Sequence, residues 1–212
     1  EVNTIDYINI LSTGNATDFG DLTVARDFVY AFSSNTRGVW CGGNDPGVAG
    51  KNTIDFVTIS STGNAVDFGS SQSAVGRNHG AVSNQTRGIY TGLDGTNIIE
   101  YVTIATLGSR QDFGDLYFVS GGGGGAGVNS PTRGVFCGAD GPSNVIQYIT
   151  ISTLGNSTDF GDLSQARGQL AGVCNAVRGA TGGGTASPGD VNTIDYITIA
   201  TLGNAVNFGQ LS

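Results

Sequence analysis

Thr53-Ile54-Asp55-Phe56-Val57-Thr58-Ile59 is followed at once by Ser60-Ser61-Thr62-Gly63-Asn64-Ala65-Val66-Asp67-Phe68-Gly69. In an extended chain Ile54, Phe56 and Thr58 point to one side and Asp55, Val57 and Ile59 to the other. Bulky apolar groups stand on both sides, so this strand must be covered on both faces. Thr62-Gly63-Asn64-Ala65 carries the glycine and asparagine of a tight reversal, and Asp67-Phe68-Gly69 begins a returning strand.

The pattern is copied along the chain. Ile5-Asp6-Tyr7, Ile54-Asp55-Phe56, Ile99-Glu100-Tyr101, Ile146-Gln147-Tyr148 and Ile194-Asp195-Tyr196 are spaced by 49, 45, 47 and 48 residues. Asp18-Phe19-Gly20 returns at Asp67, Asp112, Asp159 and Asn207 with the same steps, and Thr36-Arg37-Gly38 returns at Thr86, Thr132 and Val177. Markers in constant phase mean one supersecondary unit repeated, with length changes confined to a loop. Before each copy of the quoted pair except the first lie two more short strands. Arg77 to Val82 and Arg87 to Thr91 are an instance, with Ser83-Asn84-Gln85-Thr86 turning between them. Each unit therefore has four antiparallel strands, a to d, and no helical period survives.

Four strands in 45 to 49 residues match one propeller blade. The expected fold is an all-β propeller of four-stranded antiparallel blades. Residues 1–212 form a single repeat domain: a half-blade at 1–22, then blades at approximately 23–72, 73–116, 117–163 and 164–212. The strand-b aromatic runs Trp40, Tyr90, Phe136 and then Thr181, a gap in the last blade. In the third blade Gly121 to Gly125 stand where strand a is expected, which predicts a frayed innermost strand or a close backbone approach at the axis.

Arg26, Gly42-Gly43, Phe56 and Phe68, and again Arg167, Gly182-Gly183, Tyr196 and Phe208, resemble kelch repeats. That motif has an arginine before the first strand, a double glycine after the second, a tyrosine in the third and an aromatic in the fourth. Gly92-Leu93 and Gly138-Ala139 depart from it. The very regular Gly- and Thr-rich repeats also look like those of tail and structural proteins of marine bacteriophages (cyanophage-like). This resemblance implies a virion or cell-exterior setting.

Composition removes several functional classes. Glycine supplies 36 of 212 residues, roughly 17% against about 7% in average usage, and charged residues are 12% where about 25% is usual. With 9 basic and 17 acidic residues the net charge is −8, the wrong sign for an electrostatic nucleic-acid surface. No run approaches the roughly 20 apolar residues of a membrane-spanning helix, so no membrane insertion is expected. Cys41, Cys137 and Cys174 form no Cys-x-x-Cys pair and read as buried unpaired thiols.

The remaining candidates are few. The Asp-Phe-Gly triplets mimic a kinase metal motif but recur once per blade without its companions. Asp18/Asp21, Asp112/Asp115 and Asp159/Asp162 offer too few oxygens for calcium and read as turn-capping groups. His79, the single histidine, has no nucleophile elbow to serve, and one histidine cannot build the copper site of propeller oxidases. Seven of nine basic residues sit at repeat positions, leaving only Lys51 and Arg110 outside them. Antiparallel order predicts that Arg37 meets Asp67, Arg87 meets Asp112 and Arg133 meets Asp159. Three Asn-x-Thr acceptor patterns, at Asn15, Asn84 and Asn156, fall on turns that use asparagine anyway.

No convergent acid, base, metal or cofactor set emerges, so the expectation is a non-enzymatic structural or protein-docking module without a cofactor. A glycan-binding, lectin-like role is the alternative. Its binding face would be the b–c and d–a loops, which carry the length variation. The candidates there are Asp45, Lys51, Asp94, Tyr117, Phe118, Asp140 and Asp190. The partner would be a protein or a glycan, with assembly onto other virion subunits or the remainder of a longer chain. Strands c and d of one blade plus four whole blades make 2 + 16 = 18 strands. The missing a and b strands predict a longer native polypeptide, of which about 25 upstream residues would complete a fifth blade.

Overall fold

The computed structural model describes residues 2–44, 51–75, 80–91, 95–119, 124–139 and 141–212. These contain 18 strands and no α-helix. β1 (Thr4–Tyr7) and β2 (Thr17–Asp21) make a two-stranded antiparallel half-blade. Blade 1 is β3 (Tyr30–Ser33), β4 (Arg37–Cys41), β5 (Lys51–Thr58) and β6 (Val66–Val75). Blade 2 is β7 (Gly80–Ser83), β8 (Arg87–Thr91), β9 (Ile98–Thr103) and β10 (Gln111–Asp115). Blade 3 is β11 (Ala126–Asn129), β12 (Arg133–Cys137), β13 (Ser143–Thr150) and β14 (Thr158–Arg167). Blade 4 is β15 (Ala171–Cys174), β16 (Arg178–Gly182), β17 (Thr193–Thr198) and β18 (Val206–Gln210). Each blade is a meander paired in chain order, and the blades stand in a propeller arrangement with β3, β7, β11 and β15 as neighbouring inner strands.

The hydrophobic cores lie between blades. Phe32, Val39, Ile54 and Phe68 of blade 1 pack with Tyr90, Val102 and Ile104 of blade 2. Ile89, Ile99 and Phe113 of blade 2 pack with Phe136, Ile149 and Ile151 of blade 3, and Val135, Ile146 and Phe160 of blade 3 with Ile197 and Ile199 of blade 4. This is why strand c is apolar on both faces. The Asp-Phe-Gly phenylalanines divide accordingly. Phe68, Phe113 and Phe160 are buried and Phe19 is half-buried, whereas Phe208 is exposed because no blade among the described residues covers blade 4.

The same triplet stitches the blades through the backbone. In the c–d ladder of blade 1, Asp55 pairs with Asp67 and Ile54 with Gly69, so Phe68 is the extra residue of a bulge. A bulge residue is left out of the ladder, and its carbonyl accepts from the next blade. The donors are the c–d turn glycines: Gly63 N–H to Phe19 O at 2.7 Å, Gly108 to Phe68 at 2.9 Å, Gly155 to Phe113 at 2.8 Å and Gly203 to Phe160 at 2.9 Å. The following turn residue seals the strip at three junctions, where Asn64, Asn156 and Asn204 accept through Oδ1 from Asp21, Asp115 and Asp162 N–H. The triplet glycine is required twice over. Gly114 has φ of 149°, and a Cβ there would stand 2.5 Å from the Gly155 backbone.

Two expectations change in the inner strands. Strand a of blade 3 is an ordinary strand, Ala126–Asn129, with Ala126 and Val128 buried; the glycine run leads into it, and residues 120–123 lie outside the described set. The close approach is real at Gly127, where a side chain would collide with the Ala81 carbonyl of blade 2. Thr181 is not a gap, since its hydroxyl accepts from Arg167 Nη2 at 3.1 Å.

Gly114→Ala and Gly209→Ala separate the strain of a left-handed φ from the collision at a junction. Both positions have positive φ, but only at Gly114 is there a neighbouring backbone to collide with. Gly209→Ala is expected to cost about 1–3 kcal/mol from strain alone. Gly114→Ala is expected to cost clearly more, read from urea-unfolding midpoints.

Candidate functional site

Four buried positions on strand c carry the polar groups of the interior. Asp55 is fully buried, ion-paired with Arg26 at 2.8 Å, and accepts from the Thr23 hydroxyl at 2.6 Å. Asp195 repeats the arrangement with Arg167 at 3.1 Å and Ser164 Oγ at 2.6 Å. Thr23 and Arg26 follow the half-blade, and Ser164 and Arg167 end β14, so each cluster ties one blade to the preceding one. At Glu100 the partner is Arg110 at 3.0 Å, whose guanidinium also lies 5.3 Å from the Tyr90 ring centroid. Burial pushes the Glu100 carboxyl above its usual range; Arg110 opposes this and Asp112 adds to it. Blade 3 has neither charge. Gln147 stands at the acid position, accepts from Ser157 Oγ at 2.8 Å and donates to Phe118 O at 2.8 Å.

Removing one partner of a buried ion pair leaves an uncompensated charge. Asp195→Ala is expected to cost about 3–5 kcal/mol in equilibrium unfolding. Asp190→Ala, in an exposed loop, is expected to change stability by less than about 0.5 kcal/mol.

The strand-b arginines do not meet the aspartates assigned to them above. Arg37, Arg87 and Arg133 donate through Nη1 to the carbonyls of Ile104, Ile151 and Ile199 in the next blade, at 2.7, 2.9 and 2.7 Å. Each guanidinium also lies over the strand-c aromatic of its own blade, 4.5 Å from Phe56, 4.8 Å from Tyr101 and 4.5 Å from Tyr148. The predicted carboxylates are surface groups on strand d. The buried carbonyl and the ring face hold the cation instead.

These interactions leave the two ends of the blades for function. At the a–b end, Ser33, Ser83, Asn84, Gln85, Asn129 and Asn175 surround a polar depression of about 390 Å³, with contributions from all four blades. Bonds between blades brace its wall: Asn35 N–H to Gln85 Oε1 at 2.7 Å, Ser83 Oγ to Ser33 O at 3.0 Å and Asn84 Nδ2 to Pro131 O at 3.1 Å. The expected binding face, the b–c and d–a loops, does not include this cup. The recurrence of Ser or Asn at the a–b turn was the available signal.

At the opposite end, Tyr117 and Phe118 follow β10 with side chains 65% and 37% exposed. Their backbone is clamped. Tyr117 N–H donates to Ser157 Oγ at 2.7 Å, and Phe118 exchanges both its main-chain groups with the Gln147 amide. Leu116 N–H donates to Asn97 O, which brings this d–a connection beside the b–c loop of blade 2. Asp190 is exposed and accepts from Thr185 Oγ1 at 2.9 Å within its own loop, an ordinary turn role. That loop leaves β16 through Gly183-Gly184, both at positive φ. This makes Gly183-Gly184, rather than Gly182-Gly183, the counterpart of Gly42-Gly43. The backbone of Lys51 begins β5; Asp45, Asp94, Asp140, Arg77 and His79 lie outside the described residues. Among the described residues no group of three His, Cys, Asp or Glu could hold a metal ion.

Cys41 and Cys137 are free and buried, and burial pushes each thiol up to about 12. Cys174 is free but exposed, contrary to the expectation of three buried thiols, because it closes strand a at the a–b turn, where its counterparts Ser33, Ser83 and Asn129 are exposed or half-buried. At pH 8 a thiolate-directed reagent is therefore expected to label one cysteine in the native protein and three after denaturation. Native labelling of Cys41 or Cys137 at the rate of Cys174 would contradict their burial.

No protein-family model matches the chain, and no curated protein is significantly similar to it.

Proposed function

We propose that this chain is a non-enzymatic docking module that presents binding residues on the loop face of a rigid propeller. One observation carries the reading: the Tyr117 and Phe118 rings face solvent while their backbone is held by the buried Gln147–Ser157 pair. Aromatic groups supplied by a pre-ordered backbone lose little entropy on binding, which suits protein recognition. The buried Arg26–Asp55 and Arg167–Asp195 pairs are engaged in joining blades, which also favours a scaffold role over catalysis. The Arg, Gly-Gly, Tyr and aromatic spacing supports a kelch-type repeat. The regularity of the Gly- and Thr-rich units supports a place on a virion or cell exterior.

A second reading, glycan binding, draws on the polar cup at the a–b end, whose amide and hydroxyl groups match sugar hydroxyls. A photo-crosslinker at Phe118 is expected to capture one protein partner in the native setting. Tyr117→Ser/Phe118→Ser is expected to lower partner affinity by about tenfold or more, roughly 1.4 kcal/mol. Saturable binding to one sugar class on a glycan array, undiminished in that double variant, would favour the cup instead.

A further inference from the structure

The blade-to-blade junction is left half-made at two places, and the halves match. On blade 4 the Phe208 ring is 66% exposed, whereas Phe160 at the same position in blade 3 is 3% exposed. A Cβ at Gly209 would meet nothing within 4 Å, whereas one at Gly161 would strike the Gly203 backbone at 2.5 Å. Arg178 stacks on Tyr196 at 4.8 Å, as its counterparts stack on theirs, yet among the described residues no blade follows whose carbonyl it can reach. On the half-blade, Ile10 is 92% exposed, whereas its counterpart Ile199 is fully buried against the preceding blade. Gly14-Asn15-Ala16 repeats Gly203-Asn204-Ala205, the turn that docks on blade 3.

We infer that the open face of blade 4 is a docking site for the half-blade of a second copy of this chain, joined head to tail. The half-blade already packs on blade 1 through Ile5, Leu22, Val57 and Ala65, so its other face is the free one. Continuing the existing junction defines the contact. Gly14 N–H donates to Phe208 O, Gln210 N–H donates to Asn15 Oδ1, Ala16 N–H donates to Gln210 O, and Arg178 donates to Ile10 O. Ile8 and Ile10 cover the Tyr196–Phe208 pair. The two surfaces are different, so the contact is heterologous and leaves each partner one free end for a further copy.

Ile10→Asp and Phe208→Asp test this, since both side chains are exposed in the single chain and charge there leaves the fold intact. Circular dichroism and the unfolding midpoint verify that; Ile8→Lys is the replacement on the half-blade should Ile10→Asp unfold. By light scattering across a concentration series, the 212-residue chain is expected to exceed its single-chain mass. Each variant alone is expected to remain a single chain. An equimolar mixture of the two is expected to recover a one-to-one pair and nothing larger, because it contains one intact surface of each kind. A wild-type chain that stays single at every concentration, as it would if its own half-blade filled the face, overturns the inference. So does a mixture that fails to pair, or a single variant that associates like the wild type.

Discussion

The carbonyl of the bulged phenylalanine is the point on which the assembly of blades rests. A β-bulge leaves one residue out of the ladder, and here that residue turns its carbonyl toward the next blade. The acceptor is met only if the next blade's turn can come within hydrogen-bond distance. The triplet glycine makes that possible, since a Cβ there would strike the turn's backbone, while the turn glycine supplies the positive φ of the reversal. Apolar faces alone would let blades slide or rotate, since hydrophobic contact is non-directional. The strip of bonds at each junction supplies direction and sets the phase in which the phenylalanine ring meets its neighbours.

The interior charges follow from the same geometry. Strand c is covered on both faces, so any polar residue at its second repeat position is buried and needs a partner. Asp55 and Asp195 find an arginine from the connection that enters their own blade, together with a hydroxyl from the preceding strand d or its extension. Blade 3 takes the neutral solution, Gln147, and the connection that precedes it has no arginine. Because the Asp55 and Asp195 clusters each span two blades, their buried polar groups specify which blade follows which. The strand-b arginines add to this by crossing to a carbonyl of the next blade.

A scaffold braced in this way frees its two ends. The turns at the a–b end meet around the axis as a polar cup, and the d–a connection of blade 2 holds two aromatic rings outward from a clamped backbone. Neither feature is needed to close a core. Rigid elements that carry chemically distinct exposed loops are the usual basis of recognition surfaces in repeat proteins.

The sequence by itself determined the four-stranded unit, its phase and the number of strands, because periodicity and turn residues are local properties. It also marked strand c as buried on both faces. Partner choice was not legible. Arg37 and Asp67 belong to one blade and seem matched by charge in the chain, yet Arg37 bonds a carbonyl that is 67 residues away. Arg110 and Thr181 looked incidental because their roles depend on Glu100 and Arg167, which only packing brings to them. The exposure of Phe208 and Val173 was equally hidden. Their repeat positions are those of buried residues, and what differs is whether a neighbouring blade stands over them. Local pattern settles what a residue can do within its strand; the neighbour across a junction decides whether it is buried, paired or free, and that neighbour is a product of the tertiary structure.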